Sequence, residues 1–282
     1  FVSMANHNMD FASAQQTMNL FANGLTAAQG GDWQENYDFL ADDYFGWDRK
    51  SSYDWMDAIS RKGYYQDYNL NMQGRTGSTG YYVSLGYLST DGLLIGSDLE
   101  RLSGRLNLDS KFKWATVGVN TSYSYSTQNG FSLSTAGSMS SPITAAISSQ
   151  TPMSPFYDEE GNYANVNNYN PLALMDEKAG EINETTLQTI NLNPYFQVDF
   201  GKGIYAKTTL GVNVNERREY QYWSALYNPQ GMDYNGLGQQ MNAKSTVVTW
   251  NNIIGWNYTF AEKHDVGVML GQEMQKKSYF YD

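Results

Sequence analysis

Few residues in this chain could do chemistry, and their spacing suits little of it. His7 and His264 are the two histidines among 282 residues and cysteine is absent. A His-based metal site, a Ser-His-Asp triad and a thiolate zinc site therefore have almost nothing to draw on. His264 reads as part of a tight turn, and a turn role is the plainer one for it. Asp158, Glu160 and Asn162 alternate as cation ligands do. Gly161, however, is misplaced for an EF-hand loop, and the twelfth position is Tyr169 rather than Glu. The carboxylate pairs Asp42-Asp43 and Glu159-Glu160 have glycosidase chemistry available to them, yet they fall in polar stretches where solvated charge accounts for them. Gly201-Lys202-Gly203 reads as a hairpin and lacks the rest of any phosphate-cradling motif. The expectation is no catalytic residue, no metal and no cofactor, hence no enzyme.

Aromatic side chains are better material. The chain has 23 Tyr, 7 Trp and 12 Phe. Trp33, Tyr37, Tyr44, Phe45, Trp47 and Tyr53 crowd one stretch, and Tyr220, Tyr222, Trp223 and Tyr227 another. Rings beside Asp and Asn can stack on sugars or clamp peptide side chains in a mouth cavity. The candidate substrate-binding residues are Tyr44, Trp47, Tyr53, Tyr222, Trp223 and Tyr227. In the competing reading the same rings pack loops together or form an aromatic girdle at a membrane interface.

Charge and hydropathy exclude two classes. The net charge is -11, and no basic cluster is longer than Lys276-Lys277 or Arg217-Arg218. Nothing in that pattern would neutralise a phosphate backbone, so nucleic acid is not an expected partner. Mean hydropathy is -0.56, and no apolar run approaches the roughly 18 residues of a membrane-spanning helix. The start Phe1-Val2-Ser3, with no basic region or signal-type apolar core, reads as the beginning of an excised piece.

The elements that would position these residues are mostly strands. Period 3.6 is found once, over Asp10 to Asn23, with Asp10 as the cap and Gly24 as the stop. After Tyr64 the period is two. Ile190, Leu192, Pro194, Phe196, Val198 and Phe200 share one face opposite Asn191, Asn193, Tyr195, Gln197 and Asp199. Val248, Trp250, Ile254, Trp256, Tyr258 and Phe260 do the same opposite Thr249, Asn251, Gly255, Asn257 and Thr259, with Asn252 and Ile253 reversed. The pattern predicts about eight strands, near 64–74, 79–88, 97–109, 113–126, 186–200, 203–216, 244–261 and 263–276. They exceed the usual globular length of about five or six residues.

Connection lengths carry further information. Gly74 to Ser78, Asp109 to Lys113, Gly201 to Gly203 and Ala261 to Lys263 are short. Between them lie the longer Ser89 to Gly96, 127–185 and 217–243. Tight turns at one rim and long loops at the other are the layout of an outer-membrane barrel. In lipid only a closed ladder satisfies every backbone donor, so the outward face can be apolar while a wet interior takes Asn, Gln, Ser and Gly. The fold class expected is all-β, an antiparallel up-and-down transmembrane barrel in part. The entry segment with a short helix and an outer loop is 1–63, and the barrel strands are 64–282. A soluble or surface-attached β-rich glycan-binding protein is the alternative, since its strands would also alternate.

From Trp55 onward the residues resemble one family. The run Trp55-Met56-Asp57-Ala58-Ile59-Ser60-Arg61-Lys62-Gly63, then Tyr68-Asn69-Leu70-Asn71-Met72-Gln73-Gly74, is similar to the entry into an early barrel strand of SusC/RagA TonB-dependent outer-membrane transporters. Tyr81 to Leu88, Asp91-Gly92 and Ser97 to Asp109 resemble that family's next hairpin. Asn170-Pro171-Leu172-Ala173-Leu174 and Phe260 to Glu273 add further matches, while Arg75 stands where the family usually repeats a glycine. The resemblance implies part of a barrel of about 22 strands around a plug, in the Gram-negative outer membrane. It implies import of oligosaccharides or peptides, a SusD-like surface lipoprotein as lid, TonB acting through the plug, and membrane lipid around the wall. Plug and closing strand would lie outside this stretch.

Overall fold

The computed structural model describes residues 2–3, 11–131, 141–164, 170–261 and 263–282. Among them nine strands make one antiparallel sheet in which each strand pairs with the next in sequence. A two-residue strand, β1 (Val2–Ser3), adds to one edge. The ladder proper is β2 (Gly63–Thr76), β3 (Thr79–Asp91), β4 (Asp98–Lys111), β5 (Ala115–Asn129), β6 (Glu181–Gly201), β7 (Ile204–Trp223), β8 (Leu237–Phe260) and β9 (His264–Tyr281). This is the up-and-down meander of eight long strands that period two predicts.

Register locks the two faces across the sheet. Met72, Val83, Leu106, Thr121, Leu192, Val212 and Val248 follow one another as paired neighbours from β2 to β8. One row along, on the other face, Asn71, Ser84, Arg105, Ser122, Asn191 and Asn213 do likewise. A slip of one residue anywhere would mix these rows. The hairpin at Gly201-Lys202-Gly203 has all three residues at left-handed φ, 83°, 51° and 80°. A register shift between Asp199 and Gly201 lets so tight a turn close.

Two expectations change. The stretches 127–185 and 217–243 are partly ladder, because β5 runs to Asn129, β6 starts at Glu181, β7 reaches Trp223 and β8 starts at Leu237. The loops are therefore 130–180 and 224–236. With 24 residues, β8 far exceeds the roughly 10 that cross a bilayer. Beyond the hydrocarbon both faces of a strand are wet, so the apolar signal fades while pairing continues. His264 likewise opens β9, paired with Phe260, rather than sitting in the turn. His7 lies outside the described residues.

The second change is the helix. It spans α1 (Ala14–Gln29), capped by Ser13 in a capping box with Gln16. Gly24 is interior, and Gly30 at φ 78° ends the helix. Asp10, the expected cap, lies outside the described residues. The aromatic stretch that follows is largely helical: α2 (Trp33–Asp38), capped by Asp32, continues into a π-turn at Phe39–Tyr44, and α3 (Trp55–Ala58) is capped by Asp54.

The packed core sits beyond the loop end of the sheet. Ala14, Met18, Ala22, Tyr37, Leu40, Ala41, Trp47 and Met153 form one cluster, and Trp55, Ile59, Ala146 and Met175 a second. The strands contribute little to either. Leu70, Ile254 and Leu270 are 72%, 60% and 74% exposed, an apolar surface that the described residues leave uncovered.

Candidate functional site

Three surfaces could act. The first is the apolar face of the strands. Below its middle the rings of Trp256, Tyr258 and Phe260 contact one another, with Tyr258 and Phe260 centroids 4.7 Å apart. Trp256 Nε1 donates to the Lys202 carbonyl at 3.2 Å, tying this aromatic set to the tight turn. At the opposite end the face becomes charged: Glu216 pairs with Arg218 and stands 4.0 Å from Lys244. Along β8 this face from Trp250 to Phe260 spans about 25 Å, for a rise of roughly 3.3 Å per residue and a tilt of about 40°. That is the height of an outer-membrane apolar band. Asn252, the departure on this face, is matched across the ladder: its Nδ2 donates to Gln272 Oε1 at 3.0 Å, and Trp250 Nε1 donates to Thr208 Oγ1 at 2.8 Å beside it.

The second surface is the polar face, where side chains hydrogen-bond both between strands and along β7. Asn191 Nδ2 donates to Ser122 Oγ (3.1 Å), Asn213 Nδ2 to Asn191 Oδ1 (2.6 Å), Asn215 Nδ2 to Asn213 Oδ1 (2.6 Å) and Thr189 Oγ1 to Asn215 Oδ1 (2.9 Å). Amides suit this role because each both donates and accepts. A wall with one face for hydrocarbon and one for water is what a barrel around an aqueous interior needs.

The third surface is the loop cluster at the end away from the tight turns. Asn170 is fully buried and uses all its hydrogen-bonding capacity. Its Oδ1 accepts from Leu172 N and Ala173 N, capping α5 (Pro171–Leu174) after α4 (Pro142–Thr144), and its Nδ2 donates to the Phe156 and Ala164 carbonyls. Asn228, also fully buried, caps α6 (Pro229–Met232) in the same way. Asn-Pro at 170–171 and 228–229 is the sequence signal for both starts. Two aromatic groups then join loop segments: Tyr53 and Trp55 meet Phe156 edge-on, and Tyr163 contacts both Tyr157 and Tyr227.

The six candidate aromatics have different fates here. Trp47 and Trp223 are only 5% and 4% exposed, so their rings are packing. Trp47 Nε1 is taken by the Ser51 carbonyl at 2.7 Å. Tyr44 is exposed and edges against Phe45. Tyr53 and Tyr227 are half-buried, one against Phe156 and the other against Tyr163, and Tyr222 is half-buried near the end of β7. The structure thus places Tyr53 and Tyr227 in two separate ring groups, around Phe156 and Tyr163, and withdraws the two tryptophans. Asp158 is spoken for as well: its Oδ1 accepts from Glu160 N and Asn162 N and closes a turn. No group of three or more His, Cys, Asp or Glu able to hold a metal occurs among the described residues. Tyr169 lies outside them.

Loop electrostatics are local. Hydrogen bonds from the Ser51 hydroxyl, Ser51 N and Lys50 N hold the Asp48 carboxyl down to about 2. The hydrogen bond from Arg49 keeps Asp42 below the usual range, and Arg49 also reaches Asp38. Burial, with the bond from its hydroxyl to Asp176 Oδ2 at 2.9 Å, pushes the Tyr163 phenol up. These groups brace loops, and none is poised for proton transfer.

Fold and faces define a class: the wall of a transmembrane antiparallel barrel. No family model matches the chain. It is 27% identical over 236 residues to TonB-dependent receptor P39 of Formosa agariphila, covering 81% of this chain and 21% of that protein. It is 26% identical over 234 residues to TonB-dependent receptor P3 of the same organism, covering 79% and 22%. The chain spans about a fifth of the length of these relatives. Among solved structures it superimposes on the RagAB peptide transporter with a TM-score of 0.77 at 17% identity, over 99% of this chain and 35% of that one. The RagAB peptide importer in its open-open state gives 0.64 at 20%, over 97% and 31%. These comparisons bear out the resemblance to SusC/RagA-type TonB-dependent transporters. The relatives are receptors and a transporter, not enzymes, and such a wall belongs in the outer membrane of a Gram-negative bacterium.

Proposed function

We propose that this chain forms part of the barrel of a SusC-like importer that takes oligosaccharides or peptides across the outer membrane. Capture occurs at the loop end, a SusD-like lipoprotein covers the mouth, and TonB moves a plug inside the barrel, with no bond made or broken. The observation that carries the reading is the two-faced sheet: an uncovered apolar face beside a hydrogen-bonded amide face, with every long connection at one end. On this reading loops 130–180 and 224–236 face outward and the tight turns face the periplasm. The parts follow as in the chain's own layout, with 1–63 as the entry segment and 64–282 as wall. The test is detergent phase partition of the full-length protein, followed by uptake of labelled peptides and oligosaccharides by cells with and without it. Recovery in the aqueous phase, monodisperse without detergent, would defeat the reading and favour a soluble glycan binder.

A further inference from the structure

On the apolar side of the sheet, at the end that carries the long loops, the register places three polar rows directly beyond the last apolar one. Ile190 and Val214 are paired neighbours in that last apolar row. Two residues further on, Tyr125, Gln188 and Glu216 are paired neighbours from β5 to β7. Arg218 stands in the next row, and Glu184, Tyr220 and Gln240 form the one after it. These side chains line an open depression of about 420 Å³ on the wall. Glu216 and Arg218 satisfy each other, with Arg218 Nη2 2.6 Å from Glu216 Oε1. Among the described residues, the side chains of Glu184, Gln188 and Gln240 and the hydroxyls of Tyr125 and Tyr220 have no partner. The two tyrosines are exposed as well, at 41% and 44%.

We propose that this depression binds the headgroup of a sugar-headed lipid in the outer leaflet. The inference rests on the import reading, which turns this end outward, and adds a partner to it. Position is the first argument. The three rows continue the surface that meets hydrocarbon, so their ligand is one carried on acyl chains, whereas a molecule in passage would meet the opposite, amide face. Height is the second. Gln188 to Glu184 is a rise of about 10 Å across the membrane for the usual rise and tilt, while the polar layer of a phospholipid leaflet is only about 5 to 7 Å deep. The upper row therefore outreaches phospholipid headgroups. Chemistry is the third. A lipid held by its phosphate alone needs a cation to spare, and here Arg218 is neutralised by Glu216 while Glu184 would repel the phosphate. Sugar hydroxyls need acceptors and donors side by side, which Glu184, Gln188 and Gln240 supply, and the carbon face of a sugar ring can stack on Tyr125 or Tyr220.

The test uses the purified full-length protein, its insertion checked by heat-modifiable mobility, in phosphatidylcholine nanodiscs. These are doped with digalactosyl diacylglycerol, phosphatidylethanolamine or phosphatidylglycerol of the same acyl chains, and native mass spectrometry reads the lipid retained. The galactolipid should be retained at least about tenfold over either phospholipid, as one or two added hydrogen bonds allow. Glu184→Ala combined with Gln188→Ala changes two side chains without partners on the wall and should remove most of that preference. Ser124→Ala, on the amide face of β5 at a similar height, should leave it unchanged. Equal retention of the three lipids, an unchanged preference in the double variant, or an equal loss in Ser124→Ala would overturn the proposal and leave import standing. So would binding of deacylated digalactosylglycerol from solution as tightly as the intact lipid. A protein that does not insert in membranes at all would refute the import reading, and this inference with it.

Discussion

Ile254→Arg and Asn251→Arg, made separately in the full-length protein, test which side of β8 meets lipid. Ile254 is 60% exposed on the apolar face and pairs with Ala206 and Leu270. It lies four residues from Trp250 and six from Phe260, so its depth is about 10 Å from one end of the band and about 15 Å from the other, for the usual rise and tilt. A cation there is near the midplane and should cost about 2 to 4 kcal/mol. Asn251 is on the amide face, paired with Thr209 and Glu273. An arginine at Asn251 keeps its water and gains a carboxylate opposite, so its cost should stay below about 1 kcal/mol. Reversible folding into liposomes, followed by tryptophan fluorescence against denaturant, reads both values. Equal penalties, or a larger one at Asn251, would mean that the strand faces the other way or that lipid is not its solvent.

Three more outcomes are expected. An epitope tag beside Gly161 should be labelled on intact cells and one at Lys202 only after permeabilisation; the opposite pattern would invert the topology. Asn170→Ala strips a helix cap and takes the amide partner from the Ala164 carbonyl, while the Phe156 carbonyl keeps Ala164 N, so it should loosen the loop cluster by about 2 kcal/mol. That change is seen as faster proteolysis within 141–180 while the barrel remains heat-modifiable, and unchanged cleavage would count against the role of the Asn170 side chain. Residues 1 to 282 expressed alone should not form a native-like barrel, because an open sheet presents unpaired backbone groups that hydrocarbon cannot satisfy. A monomeric, protease-resistant, heat-modifiable species would contradict this.

The wall was legible residue by residue. Side chains alternate along a strand by geometry alone, so the run from Leu187 to Gly201 already separates Leu192 and Phe196 from Asn191 and Asn193. The register then only had to bring like faces together. Glycine-bearing short connections marked one rim for the same local reason, as positive φ at Gly201 and Gly203 shows. The ends of β6, β7 and β8 were not legible, because outside the hydrocarbon Glu184, Glu216 and Arg218 share a face with the apolar residues and erase the period, while backbone pairing continues without it.

The loops depended wholly on tertiary structure. Trp47, Tyr53, Trp223 and Tyr227 look alike in sequence as aromatics among polar neighbours. Trp47 is buried because Met18, Ala22 and Met153 arrive from segments with no shared period, and Trp223 because the 224–236 loop folds back on it, with Ser224 N bonded to the Gly180 carbonyl. Strand faces are set by local geometry, which repeats, whereas loop burial is set by contacts between distant segments, which do not; so the sequence alone revealed the barrel wall, and only the folded chain decided which rings are buried and which stay open to solvent.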